Sequence, residues 1–191
     1  ALDLNLRRQM QQELLHIQKK VGTTFVHVTH DQEEAMSIAD VIAVMNDGHL
    51  EDVGPPARVY LKPKTRFSAT FMGESNMFEG TVAGRSGESI VVDTAFGRLK
   101  ATGTAEPGAR VSLSIRPEQI MAADGDTPGQ APLGVLQVDE VSFFGTHQRC
   151  LGRHVKSNHP MIVRLPQHQA VGIGQDLNLS VQQEDIVLLT Q

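Results

Sequence analysis

The sequence predicts an α/β segment followed by an all-β, barrel-like domain with an internal duplication. Three observations predict this fold class. Helical and strand-like patterns alternate over roughly the first 72 residues, short strands with period-two alternation fill the remainder, and two stretches of the second half coincide at an offset of 66 residues without gaps. Alternating helices and strands are typical of α/β sheets, and short, closely spaced strands are typical of sandwiches and barrels.

The first helix is predicted from Asp3 to about Lys20, and Gly22 ends it. Its apolar residues follow one another at steps of three or four, which places them on one face. They are Leu6, Met10, Leu14, Ile17 and Val21. Residues 23–29 are rich in β-branched side chains and nearly continuously apolar, a pattern that predicts a buried parallel strand.

A second helix is predicted to start at Asp31, because Glu34 follows three residues later as in a capping box. The remaining elements of this half are a buried strand at 41–45, a hairpin turn at 46–48, a return strand at 49–53, and two short helices separated by Pro63, the second ending at Gly73.

The β half contains the duplication. Residues 108–120 align with 174–186, and the glycine, the alternating apolar positions, a glutamate and the final isoleucine coincide. Two such units can close each other's sheet edges, which predicts an interlocked pair of barrels. An alternative is that any alternating strand that ends in a turn gives this similarity. Residues 122–132 are predicted to form a surface loop.

Composition excludes several function classes. The 191 residues carry a formal net charge of −5, with seven Phe, one Tyr and no Trp. Nucleic-acid binding needs a basic face and often stacking aromatics, so no nucleic-acid partner is expected. No stretch approaches the roughly 20 apolar residues that cross a bilayer. The single cysteine, Cys150, excludes an internal disulfide and fits a reducing compartment.

His30 is the strongest candidate for a functional residue. It lies at the carboxyl end of the predicted strand 23–29, the edge where α/β sheets bind ligands. The N-terminus of the helix that follows favours negative charge. A histidine there can donate a hydrogen bond to a phosphate oxygen or orient a water molecule. The alternative is a loop histidine without a task.

These residues carry a resemblance to a known family. Val-Thr-His-Asp-Gln-Glu-Glu-Ala (28–35) followed by 40–48 resembles the switch-histidine region of ABC transporter ATPases, and Ala1-Leu2-Asp3 resembles the end of their D-loop. Four further segments resemble importer ATPases with a C-terminal TOBE domain: Gly54-Pro55-Pro56, 60–63, 71–74 and 115–118. The resemblance implies that 1–73 are the C-terminal portion of the ATPase domain and 74–191 an OB-like, TOBE-type β domain.

The resemblance also implies roles. His30 matches the switch histidine, which meets the γ-phosphate of ATP and helps position the attacking water, so it is expected to be both catalytic and cofactor-binding. Asp3 matches the D-loop aspartate, which couples two nucleotide sites across a homodimer. The intact parent would use ATP and Mg²⁺ and bind membrane permease subunits at the cytoplasmic face of the cell membrane. Polyamine is the leading solute, with sugar and ferric iron as alternatives.

The departures from the family pattern matter as much. No lysine follows a glycine and no two glycines are adjacent, so the phosphate loop and the signature motif are absent. The strand with the magnesium aspartate and the catalytic glutamate would lie before Ala1. This chain alone is therefore expected to be inactive and to bind ATP weakly, and its apolar residues at 25–28 and 41–44 are expected to be exposed. No metal site is expected either.

Two further interpretations stay open. The chain could instead be a non-enzymatic module that senses a small ligand such as an oxyanion, or a dimerisation module. Within it, Arg116-Pro117-Glu118 could contact a solute or a partner subunit, or could be a turn with an Arg–Glu surface pair. Phe143-Phe144 could form an aromatic binding platform, or enter the core beside a turn.

Overall fold

The computed structural model describes residues 4–87, 89–122 and 129–189. The helices are α1 Leu4–Val21, α2 Gln32–Ile38, α3 Pro56–Leu61 and α4 Arg66–Phe71. The strands are β1 Ile42–Asn46, β2 His49–Gly54, β3 Asn76–Ser86, β4 Ser89–Thr94, β5 Gly97–Thr102, β6 Arg110–Ile115, β7 Ile120–Ala122, β8 Gln130–Phe143, β9 His147–His154, β10 Pro160–Pro166, β11 Asp176–Gln182 and β12 Val187–Leu189. Short 3₁₀ helices, Pro117–Gln119 and Gln183–Asp185, follow β6 and β11.

The first helix forms as predicted, but the strand after it does not. Gly22 follows α1 with φ of +68°, the conformation expected of a terminating glycine. The five apolar residues predicted to share one face of α1 stay 40% or more exposed. Residues 23–29 are outside both sheets and the hairpin of the described chain, and Val26 and Val28 are 88% and 92% exposed. A parallel strand needs neighbouring strands to bond its backbone groups, and none lies beside this segment in the described residues.

The β1–β2 hairpin and three short helices enclose a small core. The hairpin turn predicted at 46–48 consists of Asp47 and Gly48, with φ of +48° and +80°, and Asn46 belongs to β1. The core consists of Ile42, Val44, Val59 and Met72, with Ala35, Met36, Ala39, Tyr60 and Phe67 packed against it. The expected exposure of 41–44 is therefore wrong for Ile42 and Val44, whose side chains α2 and α3 cover, while Val41 is 59% exposed.

The β half forms one closed barrel and one open sheet. The barrel has the strand order β12-β5-β4-β3-β6, and the five-stranded sheet has the order β10-β9-β8-β11-β7. A single buried cluster spans both, with Phe78 and Leu113 from the barrel and Leu136 and Val163 from the sheet fully buried. The predicted all-β barrel domain is confirmed, although only one of the two expected barrels closes.

The duplicated segments have the same element order and exchange their last strands. Each consists of a strand, a 3₁₀ helix and a three-residue strand: β6 to β7 in one copy and β11 to β12 in the other. β7 leaves the barrel to pair with β11, whereas β12 returns to pair with β6. Each unit therefore completes the other's sheet, as the repeat predicted.

The predicted loop at 122–132 is shorter than expected. Residues 123–128 lie outside the described residues, and β8 already begins at Gln130. Pro132 pairs with Ser180 and Gly134 with Leu179, so the register shifts between them. A bulge accommodates a proline inside a strand, because proline has no N–H for the ladder.

No helix of the described residues is both long enough and apolar enough to span a membrane.

Candidate functional site

His30 lies in an exposed bend immediately before α2. The next residue, Asp31, is the N-cap of α2, and its Oδ1 accepts a hydrogen bond of 3.1 Å from the backbone N–H of Glu34. The predicted helix start at Asp31 is therefore confirmed. The cap fixes where the extended segment ends, so it also fixes the backbone that carries His30.

The segment that precedes His30 is held by the carboxylate of Glu34. The Thr29 hydroxyl accepts from the Asp31 N–H at 3.0 Å and donates to Glu34 Oε2 at 2.7 Å. His27 Nε2 lies 3.4 Å from Glu34 Oε1. The hydrogen bond from Thr29 is the largest cause of a lowered pKa at Glu34. In a capping box, the Glu34 carboxylate would accept a hydrogen bond from the Asp31 N–H. Here the Thr29 hydroxyl accepts that hydrogen bond instead.

The described residues do not fit ATP by themselves. His30 is one exposed imidazole before a seven-residue helix, and the sequence has no Gly-Lys pair to cradle phosphates. That the chain alone is inactive and binds ATP weakly stays a prediction. Asp3, the other predicted site residue, lies outside the described residues. The roles of both residues stay predictions.

An apolar cleft of about 570 Å³ separates α1 from the segment before His30. Its apolar lining comes from α1, from the extended segment and from the end of α2 onward: Leu14, Leu15, Phe25, Val26, Ile38, Ala39 and Val41. The cleft adjoins the exposed apolar face of α1, since Leu14 belongs to both. Large exposed apolar patches mark surfaces that bind other protein segments.

Arg116 joins the helices to the β domain. It follows β6, is 1% exposed, and its Nε donates to the Tyr60 carbonyl oxygen at 3.0 Å. Its Nη1 donates to the carbonyl oxygens of Ala69 at 2.8 Å, Gly73 at 3.3 Å and Glu74 at 3.0 Å. The guanidinium carbon also lies 4.2 Å from the centre of the Tyr60 ring.

Burial lowers the pKa of Arg116 from its usual value. The interpretation of Arg116 as half of a surface pair is wrong, because this side chain is enclosed and bonds carbonyl oxygens. The interpretation that Arg116 contacts a solute is wrong for the same reason. Glu118 instead accepts a hydrogen bond of 2.7 Å from the Tyr60 hydroxyl.

Two carboxylates and two arginines surround this joint. Arg149 donates from Nε and Nη2 to Glu74 Oε1 at 2.8 Å and 2.6 Å, and Arg164 Nη2 donates to Glu74 Oε2 at 3.0 Å. Arg164 Nη1 also lies 3.5 Å from Glu118 Oε2. The hydrogen bond from Arg149 is the largest cause of the lowered pKa of Glu74. The segment between α4 and β3 is therefore tied to β9 and β10.

A second cleft, of about 610 Å³, lies between the unpaired edges of β7 and β10. Its polar lining is Glu118, His147, Arg164 and Gln169. Arg164 Nε has no hydrogen-bond partner within the described residues. The same residues contain no group of three His, Cys, Asp or Glu side chains arranged to hold a metal ion.

Phe143 and Phe144 lie at the exposed tip of the β8–β9 hairpin. They are 69% and 58% exposed, so their interpretation as core residues is wrong. The Phe144 ring stacks on His147 with centroids 5.2 Å apart. The tight turn through Gly145, with φ of +78°, follows these two residues and leads into β9.

Comparison with known proteins adds a family to this geometry. Residues 113–189 match the TOBE domain family. The match begins within β6, so it leaves out β3, β4 and β5 of the closed barrel.

Curated relatives match over most of the chain. The spermidine/putrescine import ATP-binding protein PotA of Rubrobacter xylanophilus is 44% identical over 152 residues, that of Trichodesmium erythraeum 46% over 177, and that of Bacillus thuringiensis 34% over 191. These alignments cover 76%, 87% and 99% of this chain but 39%, 46% and 50% of the relatives. The chain thus spans half or less of their length. The predicted resemblance to the C-terminal part of an ABC importer ATP-binding subunit is confirmed.

A solved structure supports the fold of the β half. The cytoplasmic molybdate-binding protein ModG aligns with a TM-score of 0.52 and 12% identity, over 59% of this chain and 94% of its own. At this identity the likeness concerns the fold alone.

Proposed function

We propose that this chain is the C-terminal part of the ATP-binding subunit of an ABC importer, and that the intact subunit hydrolyses ATP to drive polyamine uptake. The similarity to spermidine/putrescine import ATP-binding proteins carries this proposal. The relative from Bacillus thuringiensis aligns over 99% of the chain, and so includes the His30 segment as well as the TOBE domain.

In the intact subunit, His30 meets the γ-phosphate of ATP and helps position the attacking water, and Asp3 couples two nucleotide sites. ATP and Mg²⁺ are the cofactors, two copies form a homodimer, and membrane permease subunits are the partners. The subunit lies at the cytoplasmic face of the membrane. Residues 1–73 belong to the ATPase domain, and 74–191 to the regulatory or dimerising β domain.

The exposed apolar surfaces support this assignment. The α1 face and the cleft beside Phe25 and Val26 are apolar, and the relatives are at least twice as long as the matched part of this chain. In the intact subunit, the rest of the ATPase domain covers these surfaces. The strand predicted at 23–29 then gains the neighbouring strands that the described residues lack.

Steady-state ATP hydrolysis by the full-length protein tests the role of His30. Replacement of His30 by alanine is expected to lower kcat by about 100-fold or more, the range for loss of a group that positions a proton or a water. His49→Ala is the matched control, because His49 is also exposed but lies in β2. A kcat that falls less than threefold in His30→Ala, or equally in both variants, contradicts the proposal.

A nucleotide titration of the 191-residue chain tests its expected inactivity. Phosphoryl transfer needs the phosphate cradle, the metal and water positioning together. Calorimetry with ATP and Mg²⁺ is therefore expected to give no binding at micromolar concentrations. A micromolar Kd would contradict this expectation, and uptake of labelled spermidine by reconstituted full-length protein with its permease would test the solute.

One observation favours a second candidate, a β domain that senses a small oxyanion. Arg164 and His147 line the cleft between β7 and β10, and the fold resembles that of a molybdate-binding protein. Calorimetry with molybdate and with sulfate tests it. Binding that disappears in Arg164→Gln supports this candidate, and no heat with either anion excludes it.

A further inference from the structure

The carboxyl end of α4 is bonded from two sides. On one side, the Gln32 side chain in the first turn of α2 donates to the Phe71 carbonyl oxygen. On the other side, Arg116 of the β domain donates to the Ala69, Gly73 and Glu74 carbonyl oxygens. The last turn of α4 and the three residues after it therefore lie between α2 and the β domain.

α2 depends on this end of α4 for more than one contact. Ala35 and Met36 of α2 and the adjoining Ala39 pack against the small core that contains Met72. Met72 is the C-cap of α4 and is 2% exposed. A shift of the α4 end would therefore move Gln32 and this packing surface together. His30 precedes Gln32 by only two residues, with the Asp31 cap between them.

Arg116 is suited to hold this end in place. The carboxyl end of a helix carries partial negative charge and unpaired carbonyl oxygens, which a buried cation satisfies. A guanidinium presents several donors in a rigid plane, whereas a lysine ammonium does not reproduce that geometry. The duplicated copy has Gln182 at the equivalent position, where it is exposed. The buried Arg116 and the exposed Gln182 therefore have different surroundings.

We infer that Arg116 is a positioning residue through which the β domain sets the placement of α2 and, with it, of His30. The catalytic consequence rests on the proposed function of His30, but the link itself joins residues of this chain alone. A ligand or partner that moves the junction of β6 with its 3₁₀ helix would displace the α4 end and thereby reposition His30. Regulation through the β domain then has a defined route to the phosphate-facing residue.

Amide hydrogen exchange in this chain tests the link directly. Arg116→Met is expected to speed exchange across 35–39 by about tenfold or more, and Arg116→Lys by a smaller factor. Arg66→Met is the matched control, because Arg66 also joins α4 to the barrel, through an exposed ion pair of 2.6 Å with Glu79. It is expected to change exchange in α2 by less than twofold. Unchanged exchange at 35–39 in Arg116→Met, or an equal change in Arg66→Met, overturns the inference.

If Arg116→Met does not fold, the variants Gln32→Ala and Arg116→Lys test the same link. Gln32→Ala cuts the link from the α2 side and leaves the barrel contacts intact. If both side chains act through the same link, Arg116→Lys adds little once the Gln32 side chain is gone. The double variant is therefore expected to exchange at 35–39 little faster than Gln32→Ala alone. Effects that simply multiply would show two independent contacts and overturn the inference.

Kinetics of the full-length protein separate this inference from the proposed function. Arg116→Lys is expected to lower kcat severalfold while the KM for ATP changes less than twofold, because the displaced group acts on the chemical step. If His30→Ala leaves kcat unchanged, the proposed function fails, and the exchange result still decides the link. If His30→Ala lowers kcat but Arg116→Lys leaves both kcat and exchange unchanged, only the inference fails.

Discussion

Replacement of Gly134 by alanine tests how closely β8 packs against the ring of His154 in β9. Gly134 has φ of +83°, and an added Cβ would come against the ring of His154, 3.1 Å from its Cδ2 and closer still to its Nε2. His154 is 2% exposed, and its Nδ1 lies 2.7 Å from Ser157 Oγ. The ring also meets Phe96 edge-on, with centroids 4.7 Å apart. It therefore has no free direction in which to move.

The expected cost has two parts that control variants separate. Left-handed backbone costs an alanine about 1–2 kcal/mol, and forced overlap in a packed core costs about 1–3 kcal/mol. Gly134→Ala is thus expected to lower the free energy of unfolding by about 2–5 kcal/mol. Gly145 has φ of +78° but nothing within 4 Å of an added Cβ, so Gly145→Ala carries the backbone cost alone. In Gly152→Ala the overlap acts alone, because the Cβ would lie 2.9 Å from Leu136 Cγ at an ordinary φ.

Urea unfolding followed by far-ultraviolet circular dichroism measures all three variants, since the chain has no tryptophan for fluorescence. Stability changes appear as shifts of the midpoint at constant slope. The expected order of destabilisation places Gly134→Ala clearly above Gly145→Ala. If these two variants unfold at the same urea concentration, His154 does not confine Gly134 and the reasoning is refuted.

Three further predictions concern other contacts. Burial lowers the pKa of His154 from 6.5, so the unfolded chain binds this proton first as pH falls. The free energy of unfolding should therefore fall as pH drops below 6.5. A urea midpoint that stays constant from pH 7.5 to 5.5 would contradict this prediction. Glu74→Gln removes the carboxylate that bonds Arg149 and Arg164, and should cost about 1–3 kcal/mol in urea unfolding. Asp93→Asn removes an exposed pair with Arg98 and should cost less than about 1 kcal/mol. Equal costs would refute the distinction between the partly buried and the exposed ion pairs. Thr65→Ala removes the cap of α4, in which the Thr65 hydroxyl accepts a hydrogen bond of 3.1 Å from the Ser68 N–H. This change should cost about 1 kcal/mol by the same assay. An unchanged urea midpoint would contradict the prediction.

Features that depend on nearby residues were predictable from the sequence. The β1–β2 turn follows from Asp47-Gly48, because few residue pairs accept positive φ at both positions. The start of α2 follows from Asp31, whose side chain bonds a backbone N–H within the same turn. The strand exchange followed from the repeat, since two related units with open edges can satisfy each other.

Features that depend on distant partners were not predictable in the same way. Residues 23–29 have the composition of a buried strand, but a strand forms only where neighbours bond its backbone, and composition cannot supply them. The joint at Arg116 brings together carbonyl oxygens from 42 to 56 residues away. The one available signal was the asymmetry of the repeat, where Gln182 occupies the equivalent position. A cation present in only one copy indicates a contact that only that copy makes.

Among the candidate site residues, the position of His30 at the junction of an extended segment and a helix was predictable. The part played by Thr29 was not, because it required knowing that its hydroxyl stands between the Asp31 N–H and the Glu34 carboxylate. A threonine in a run of β-branched residues predicts a strand, and this pattern does not indicate which hydrogen bonds its hydroxyl makes.

The exchange of β7 and β12 has a consequence for how the protein is made. The barrel begins at β3 but closes only when β12, at 187–189, reaches β6. A chain growing on the ribosome must therefore reach residue 189 before β5 and β6 gain the strand that joins them. Loss of Val187–Leu189 would open the barrel between β5 and β6, so closure of the barrel depends on three residues that are made long after its other strands.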